Sequence, residues 1–337
     1  MRFYLWLALF CNTNCLNAQI LHLDKLEIVD SVGNKDLLPL KLSALEYRTA
    51  KPLLKNWQVK RRINTMKIVY PVMYGGILGS LSAAWYSNYT KEGLHSFNDY
   101  KEWKQVDKLG HLYGTYIFSK AAMELWGGTG ISDKKRLVYG GLSGLAFQTV
   151  VEVLDGYSAE WGFSWSDMGA NILGTTLLMA QEAAWKNQRI ELKMGFSPVK
   201  YNASLQARVN NIYGTNGLEQ FVKDYNAQTI WASVNIADFC SNTTLPKWLN
   251  IAVGYGANGL LGADNNIWKD RLGNTINRSD IKRVRQFYIA PDIKLTKIKV
   301  RKKWQRTTLT VLNAFKFPLP ALEYNSGGKF VFHFIKF

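Results

Sequence analysis

Cysteine and histidine are both scarce in this chain, whose 337 residues include three cysteines and four histidines. Cys11 and Cys15 lie in a segment that we expect to be removed on export, which leaves only Cys240. A lone cysteine can form neither an intrachain disulfide nor a cysteine metal cage. The chain also has no nucleophile elbow, no paired-histidine zinc motif, no phosphate-binding loop and no internal repeat. No familiar catalytic motif therefore assigns a reaction to it.

Acidic residues are outnumbered, with 25 aspartates and glutamates against 42 lysines and arginines, so the formal net charge is +17. Such a charge often indicates nucleic-acid binding. For an exported protein the nearer anions are lipid head groups, lipopolysaccharide phosphates and wall polymers. We therefore expect a membrane or anionic envelope components as partners, and no nucleic acid. A solvated surface that aids solubility is the alternative. The basic residues form two clusters: Arg278, Lys282, Arg283 and Arg285, then Lys294, Lys297, Lys299, Arg301, Lys302, Lys303 and Arg306.

Residues 1–18 have the order of a secretory signal peptide. Arg2 gives a positive start, Phe3 to Phe10 form an apolar run, and polar residues lead to Ala18. The apolar run is shorter than the roughly 20 residues that span a bilayer, so we predict cleavage and export to the outer membrane or periplasm. Lipidation at Cys11 or Cys15 is an alternative, although neither follows a small residue. A buried N-terminal strand is another.

The next residues, 19–63, are polar and irregular, and we predict a linker or strap with short helices. From Ile68 to Thr90 the chain carries no charge, which is long enough for a membrane span. After a cleaved signal peptide, however, such a span would leave Lys60, Arg61 and Arg62 on the outer side, against the positive-inside rule. We therefore predict a helix that is buried among its neighbours or rests on a membrane.

Residues 64–188 predict a helical bundle. Three more helices are expected, over 98–126, 132–154 and 164–187, and Asp99 and Glu102 have capping-box spacing at the first. Small residues recur at helical spacing on all three and should let the helices approach closely. These residues are Gly110 and Gly114, Gly140 and Gly144, and Ala170 and Gly174.

Beyond Gln188 the hydrophobic period changes to two, which predicts a β-rich domain over residues 189–337. Alternating segments cover 190–196, 203–209, 230–236, 249–255 and 330–337, and a strand-like segment from Phe287 to Ile298 contains Pro291, which indicates an edge or a bulge. The fold class is thus α+β, with an antiparallel sheet or a small barrel following the helices. The terminal Phe337 resembles the end of outer-membrane barrels.

Five polar residues in the helical unit form a candidate site. Asp107 and His111 lie four residues apart on one helix face, as do Asp167 and Asn171. Glu152 follows the uncharged run 137–151, where a carboxylate needs a partner or a raised pKa. Together these residues could bind a divalent metal, act as an acid/base pair in which Asp107 orients His111, or form a satisfied buried network. The metal and any cofactor stay unknown at this stage.

Simpler structural roles remain open for the same residues. Asp107 could pair with Lys108 or Lys104 at the surface. Asp167 closes the sequence Ser164-Trp165-Ser166-Asp167, which is a capping-box pattern. Asn171 could bridge two helices.

The motifs in their order resemble a known family. Asp107-Lys108-Leu109-Gly110-His111, then Glu152, then the segment 162–167 with Asn171 and Gly174, are similar to the YfiM-like family of predicted periplasmic lipoproteins. The similarity covers roughly residues 64–185, and a looser one runs to the VanZ-like membrane proteins. The resemblance implies an envelope location and no assigned activity.

Two functions fit these observations. The first is a structural or binding role at the outer membrane, with a basic face that holds anionic envelope components. The second is an envelope hydrolase or transferase that uses Asp107, His111, Glu152 and Asp167 on a lipid-linked or cell-wall substrate. The sequence decides neither the enzyme question nor the oligomeric state.

Overall fold

A computed structural model of the protein describes residues 54–81, 90–159, 161–240, 244–270 and 272–337. The predicted signal peptide and most of the predicted linker lie outside these ranges. Helices occupy the first half and an antiparallel sheet the second, which confirms the α+β class.

Within the described ranges, the N-terminal unit comprises five α-helices. They are α1 (Asn56–Leu81), α2 (Val106–Gly127), α3 (Asp133–Gly141), α4 (Ser143–Asp155) and α5 (Trp165–Trp185). One side of α1 rests on the other helices, where the Tyr74 hydroxyl donates a hydrogen bond to the Ser143 carbonyl at 3.1 Å. On its other side Ile68 and Val72 are exposed, so α1 is only partly buried.

The predicted single helix over 132–154 is two helices, α3 and α4, which are separated at Leu142. Among the described residues, Asp133–Asp155 is the one stretch long and apolar enough to cross a membrane by length and composition alone. Core helices of soluble proteins meet the same criterion, so this stretch is weak evidence for a span.

Close helix contacts depend on three of the predicted small residues. A Cβ added at Gly140 would clash with the Met123 backbone, one at Gly144 with the Thr115 carbonyl oxygen, and one at Gly174 with the Leu112 carbonyl oxygen. All three contacts are made with α2, which is therefore the central helix of the unit. A Cβ at Gly110 would meet nothing within 4 Å, so that glycine has no packing role.

The start of α2 differs from the prediction. A short 3-10 turn, Glu102–Gln105, precedes it, and α2 begins at Val106 rather than near Asn98. The predicted capping box of Asp99 and Glu102 does not form. The Asp99 carboxylate instead binds the Lys108 ammonium and the Ser164 hydroxyl, because a charged partner holds a carboxylate more strongly than a backbone amide does. The cap at α5 is as predicted, since the Ser164 hydroxyl accepts from the Asp167 amide at 3.0 Å.

Six strands form one antiparallel sheet: β1 (Ile190–Phe196), β2 (Gln228–Val234), β3 (Leu249–Asn258), β6 (Val284–Ile293), β7 (Leu319–Asn325) and β8 (Phe330–Lys336). Their order across the sheet is β1-β2-β3-β6-β7-β8. A separate hairpin pairs β4 (Ile267–Lys269) with β5 (Thr275–Asn277). The antiparallel β-rich half is thus as predicted.

Pro291 lies in an interior strand, β6, rather than on an edge strand, but beyond the part of β6 that pairs with β7. It pairs with Ile251 of β3 on one side, while β7 pairs with β6 only over Gln286 to Ile289 on the other. A proline without a backbone N–H is tolerated at such a position, because no neighbouring strand needs that donor.

The strand predicted over 203–209 is wrong. This segment forms a 3-10 turn and then helix α6 (Gln206–Tyr213), and a second short helix, α7 (Gly217–Lys223), follows it. Leu205, Val209 and Tyr213 are four residues apart, so they share a helix face, and they pack in one buried cluster with Leu261. Leu205 and Val209 fit both periods, and the helix buries these two residues together with Tyr213.

The helical unit packs against one end of the sheet. Leu192 of β1 joins Tyr116, Met123 and Leu178 in a buried core cluster, and Ala232 of β2 packs against it. At the other end of the chain, helix α8 (Lys303–Leu312) leads to residue Phe315, which pairs with Met194 along β1. The terminal Phe337 carbonyl accepts a hydrogen bond from the Trp231 indole at 3.3 Å.

Candidate functional site

The predicted polar residues meet at one end of the helical unit. Helix α2 supplies Asp107 and His111 from its first turns, α4 supplies Glu152 from its last turn, and α5 supplies Asp167 and Asn171. The three helices approach closely because Gly144 and Gly174 lack side chains at the contacts with α2. The sequence prediction that these residues converge is therefore borne out by the geometry.

His111 lies at the centre of the cluster. Its Nδ1 is 3.1 Å from Glu152 Oε1, and its Nε2 is 3.9 Å from Asp107 Oδ1 and 3.8 Å from Asp167 Oδ2. The imidazole thus has a carboxylate close to one ring nitrogen and two more facing the other. Sequence reasoning paired Asp107 with His111 as its orienting partner, whereas the nearest carboxylate belongs to Glu152.

Lys108 is also a member of the site. One alternative left open by the sequence was that this lysine pairs with Asp107 at the surface. Its ammonium lies 2.5 Å from Asp99 Oδ2, 3.0 Å from Asp107 Oδ2 and 2.8 Å from Asp167 Oδ1. The lysine is buried, so its charge is balanced within the cluster. The sequence offered only a weak signal, namely that Lys108 follows Asp107 directly and lies three residues before His111, so the three side chains are close on α2.

Two further partners complete the polar shell. The Tyr225 hydroxyl donates to Asp107 Oδ1 at 2.6 Å, and it comes from the segment just before β2, so the second half of the chain also contributes. Asp99 accepts hydrogen bonds from the Ser164 and Ser166 hydroxyls at 2.6 and 2.7 Å. From the sequence, Asp99 had only a capping role, and nothing indicated Tyr225, which lies 118 residues from Asp107 in the chain.

Asn171 supports Glu152 from α5. Its side-chain amide donates to Glu152 Oε1 at 3.4 Å, and its carbonyl oxygen accepts from the Thr115 hydroxyl at 2.7 Å. Both Asn171 and Glu152 are almost fully buried. Asn171 therefore acts by positioning Glu152, which in turn faces the histidine.

The cluster holds more acid than base. Its four carboxylates belong to Asp99, Asp107, Glu152 and Asp167, and its two basic groups to Lys108 and His111. If all six groups were charged, the buried site would carry a net charge of −2, from four negative and two positive charges. An excess of buried negative charge must be compensated by protons or by a cation.

Protonation behaviour reflects this excess. Burial, aided by nearby carboxylates, raises the pKa of Glu152 to about 8 although His111 opposes the shift. Burial and the neighbouring Asp107 raise the pKa of Asp167 to about 7. Burial opposes ionisation of Asp107, but His111 and Lys108 outweigh it and lower the Asp107 pKa. Burial would lower the pKa of His111, but the surrounding carboxylates raise it.

These directions define what the site can do chemically. The carboxyl groups of Glu152 and Asp167 can exchange protons near neutral pH beside the imidazole, which suits general acid/base catalysis. The same donor set of one imidazole nitrogen and two carboxylate oxygens can also hold a divalent metal. Asp107, His111 and Asp167 each offer one ligand atom within 4.8 Å of the others.

The predicted basic clusters divide into structural and exposed members. Lys294 is buried beside Glu191 and Asp238, and the Arg285 guanidinium donates to the Tyr255 hydroxyl and to Gln105. Five basic residues around the start of α8 remain exposed, and in the described part of the chain none of them has an acid within ion-pair distance. They are Lys299, Arg301, Lys302, Lys303 and Arg306.

Comparison with known proteins gives one match. Residues 91–182 match a family described as a predicted periplasmic lipoprotein (DUF2279), a segment that contains all five predicted site residues. The match supports an uncharacterised periplasmic lipoprotein family, and the protein is exported, to the periplasm or outer membrane, as the sequence predicted. No curated protein and no solved structure matches the chain.

Proposed function

We propose that this envelope protein works attached to a membrane, the outer membrane in particular, with one face of its sheet against lipid. The observation that carries the proposal is an inverted sheet. Large apolar side chains point outward into solvent, whereas charged and polar side chains are buried on the inner face beside a core cluster of Trp231, Tyr288 and three alanines. In a soluble half-buried sheet the outward face is normally polar. The narrower resemblances, to YfiM-like and VanZ-like proteins, agree with a membrane-proximal role.

Eight apolar side chains form the outer sheet face. Cross-strand pairing places Val253 beside Ile289, Ile289 beside Leu322, and Leu322 beside Phe332. A second row runs parallel to this one across three of the strands. The members of the outer sheet face, all exposed, are Ile251, Val253, Phe287, Ile289, Leu322, Tyr324, Phe330 and Phe332.

The alternate residues of β3, β6 and β7 are mostly buried, whereas β8 is exposed on both faces. Val253 is 53% exposed and Ile289 is 52% exposed, whereas Asn250 and Asp292, on the opposite face, are fully buried. Lys193 Nζ lies 2.7 Å from Asp292 Oδ2, and the Ser233 hydroxyl donates to the same oxygen at 2.6 Å. Charged groups inside and apolar groups outside are the pattern of strands that face lipid.

A water-exposed apolar surface of this size is costly for a soluble monomer. Monomers seldom expose a large contiguous apolar patch, and such patches mark contact with a protein or a membrane. The exposed basic residues around α8 favour a membrane over a protein partner, because anionic head groups attract exposed lysine and arginine. Trp304, which is 62% exposed among them, suits the interface between head groups and acyl chains.

Vesicle flotation tests this proposal. We expect the purified full-length protein to float with vesicles of phosphatidylethanolamine and phosphatidylglycerol, and Leu322→Asp to lower the floating fraction several-fold. Leu272→Asp is the matched control, because Leu272 is also exposed but lies beside the β4–β5 hairpin, off the outer sheet face. A wild-type protein that stays in the buffer fraction as a monomer would contradict the proposal. So would a stable dimer that Leu322→Asp dissociates, since the face would then bind a second copy.

A second candidate function is an envelope hydrolase or transferase acting on a lipid-linked or cell-wall substrate. The observation that favours it is His111, which is held between Glu152 on one ring nitrogen and two aspartates on the other. In this reaction His111 would exchange a proton with the substrate while Glu152 holds the ring in place. A surface groove of about 460 Å³ opens beside the start of α2, and its lining includes Lys101, Lys104 and Arg285 against one acid, Asp264. Its net positive charge suits an anionic substrate, although none of the five site residues lines it.

Complementation of a deletion strain tests the enzymatic role. We expect His111→Ala and Glu152→Ala to abolish the cellular function while the purified variants still unfold cooperatively. His95→Ala is the control, because His95 is an exposed-loop histidine outside the cluster. If both site variants are unfolded, or if both complement fully, the enzymatic proposal fails.

A further inference from the structure

We propose that Asp107, His111 and Asp167 bind a divalent transition-metal ion, with Glu152 orienting the histidine ligand. This inference deepens the enzymatic proposal and rests on the same cluster, but it concerns metal binding itself. It does not depend on the membrane contact of the sheet.

The spacing of the donor atoms is the first observation. His111 Nε2 lies 3.9 Å from Asp107 Oδ1 and 3.8 Å from Asp167 Oδ2, distances that are too long for hydrogen bonds. Ligand atoms at about 2.0–2.2 Å from a shared ion lie roughly 3–3.6 Å from each other. The two distances from His111 exceed that spacing by a few tenths of an ångström, and the three atoms all lie within 4.8 Å of one another, so modest side-chain movement would bring them onto one ion.

Lys108 leaves that position open. It binds Oδ2 of Asp107 at 3.0 Å and Oδ1 of Asp167 at 2.8 Å, whereas the other oxygen of each carboxylate faces His111. The ammonium and an ion beside His111 would thus use different oxygens of the two aspartates. Tyr225 also donates to Asp107 Oδ1, but a carboxylate oxygen has a second lone pair for a metal.

The contact on the far side of the imidazole is the second and independent observation. Glu152 Oε1 lies 3.1 Å from Nδ1, and Asn171 and Thr115 continue the polar chain behind Glu152. Metal-binding histidines commonly have a carboxylate hydrogen-bonded to the ring nitrogen that does not bind the metal. Here Nδ1 and Glu152 Oε1 are in contact without hydrogen-bond geometry. A hydrogen bond formed there by a small ring rotation would place the proton on Nδ1 and leave the Nε2 lone pair facing the two aspartates.

Charge balance supports a cation at this place. With a neutral imidazole, the four carboxylates and Lys108 would give the buried cluster a net charge of −3, and a divalent ion would reduce it to −1. The donor set also limits the choice of ion. Imidazole nitrogen suits Zn²⁺, Fe²⁺ or Mn²⁺ better than Ca²⁺ or Mg²⁺, which prefer oxygen ligands alone. Three protein ligands would leave further positions for water or a substrate.

Cobalt titration of the metal-stripped full-length protein tests the inference. Co²⁺ is the probe because its visible absorption reports the ligand geometry, and Zn²⁺ is then added in competition. We expect one equivalent of Co²⁺ to give visible bands that Zn²⁺ displaces. His111→Gln and Asp167→Asn should abolish these bands, and Glu152→Gln should weaken binding by about 10–100-fold.

The control is Asp280→Asn, an exposed aspartate outside the cluster, which should bind like wild type. Absence of the bands in the folded wild-type protein would overturn the inference, and so would bands that persist in His111→Gln, because the metal would then lie elsewhere. Failure is distinguishable from failure of the enzymatic role. A protein that binds no metal but needs His111 in complementation loses only the metal site, and one that binds Co²⁺ but complements without His111 loses only the enzymatic role.

Discussion

Glu152 Oε1 lies 3.1 Å from His111 Nδ1, so a carboxylate on α4 is in contact with a histidine on α2 in the interior of the helical unit. A buried carboxylate without a partner would be strongly destabilising. The contact therefore accounts for the charged residue at the end of an otherwise uncharged helix. The site therefore forms only when α2 packs against α4 and α5.

Removal of Asn171 should destabilise the protein without unfolding it. Asn171→Ala deprives Glu152 and the Thr115 hydroxyl of a buried partner, so we expect a loss of about 1–3 kcal/mol in the free energy of unfolding. Denaturant unfolding measures this loss. Asn211→Ala, at an exposed position on α6, should change stability by less than about 0.5 kcal/mol. Equal effects of the two substitutions would contradict the role given to Asn171.

The close contact between α4 and α2 at Gly144 should be sensitive to the size of the side chain at that position. Gly144→Ala places a methyl group against the Thr115 carbonyl oxygen, so we expect destabilisation by about 1–3 kcal/mol. Gly110→Ala is the matched control on α2, where a methyl group meets nothing within 4 Å. That substitution should stabilise the helix by about 0.5–1 kcal/mol. Thermal unfolding of both variants gives the comparison, and a neutral Gly144→Ala would show that the helices are less closely packed.

The ion pair inside the sheet should matter more than an exposed one. Lys193→Met leaves Asp292 buried with Lys316 at 3.6 Å as its remaining cation, so we expect a loss of about 3 kcal/mol. The exposed pair of Arg278 and Asp280 provides the comparison, and Arg278→Met should cost less than about 1 kcal/mol. If urea unfolding shows the same loss of free energy for Lys193→Met and Arg278→Met, the polar interior of the sheet is hydrated and the expectation is wrong.

Stability should fall in acid because of Glu191. Burial opposes ionisation of this carboxyl, but Lys120, at 2.6 Å, outweighs it and lowers the Glu191 pKa to about 2. A lowered folded-state pKa stabilises the protein above the unfolded pKa of about 4.5, and this contribution is lost as the pH falls from about 4.5 towards 2. We expect the unfolding free energy to decrease through this window by as much as about 3 kcal/mol. Glu191→Gln should flatten that part of the pH profile, and an unchanged profile would contradict the assignment.

Binding to anionic lipid should depend on the basic residues around α8. Reversing Lys302, Lys303 and Arg306 to glutamate should lower the affinity for phosphatidylglycerol vesicles and make the remaining binding less sensitive to salt, because the attraction is electrostatic. Trp304 fluorescence and flotation at two salt concentrations measure both effects. Reversal of Lys134 and Lys135, exposed at the start of α3, serves as the control. A triple variant that binds as well as wild type would place the lipid contact elsewhere.

Local sequence patterns predicted the helices and strands that depend on neighbouring residues in the chain. Ser164 followed by Asp167 indicated the start of α5, and the alternation around Ile230 and Val253 indicated β2 and β3. The strand prediction for residues 203–209 was wrong because Leu205 and Val209 fit both a strand and a helix. Only their packing against Leu261 selects the helix. The capping prediction for Asp99 was wrong for a related reason, because its carboxylate binds the Lys108 ammonium instead of a backbone amide.

The sequence by itself determined the helical and β-rich halves, the polar residues Asp107, His111, Glu152, Asp167 and Asn171, and the excess of positive charge. Only the tertiary structure decided that Lys108 is buried in the cluster, that Glu152 rather than Asp107 contacts His111 most closely, and that the apolar rows of the sheet face outward. The physical reason is that alternation along a strand defines two faces but not which face is buried. That choice depends on long-range pairing, which places Asp292 beside Lys193 and Ile289 in contact with solvent.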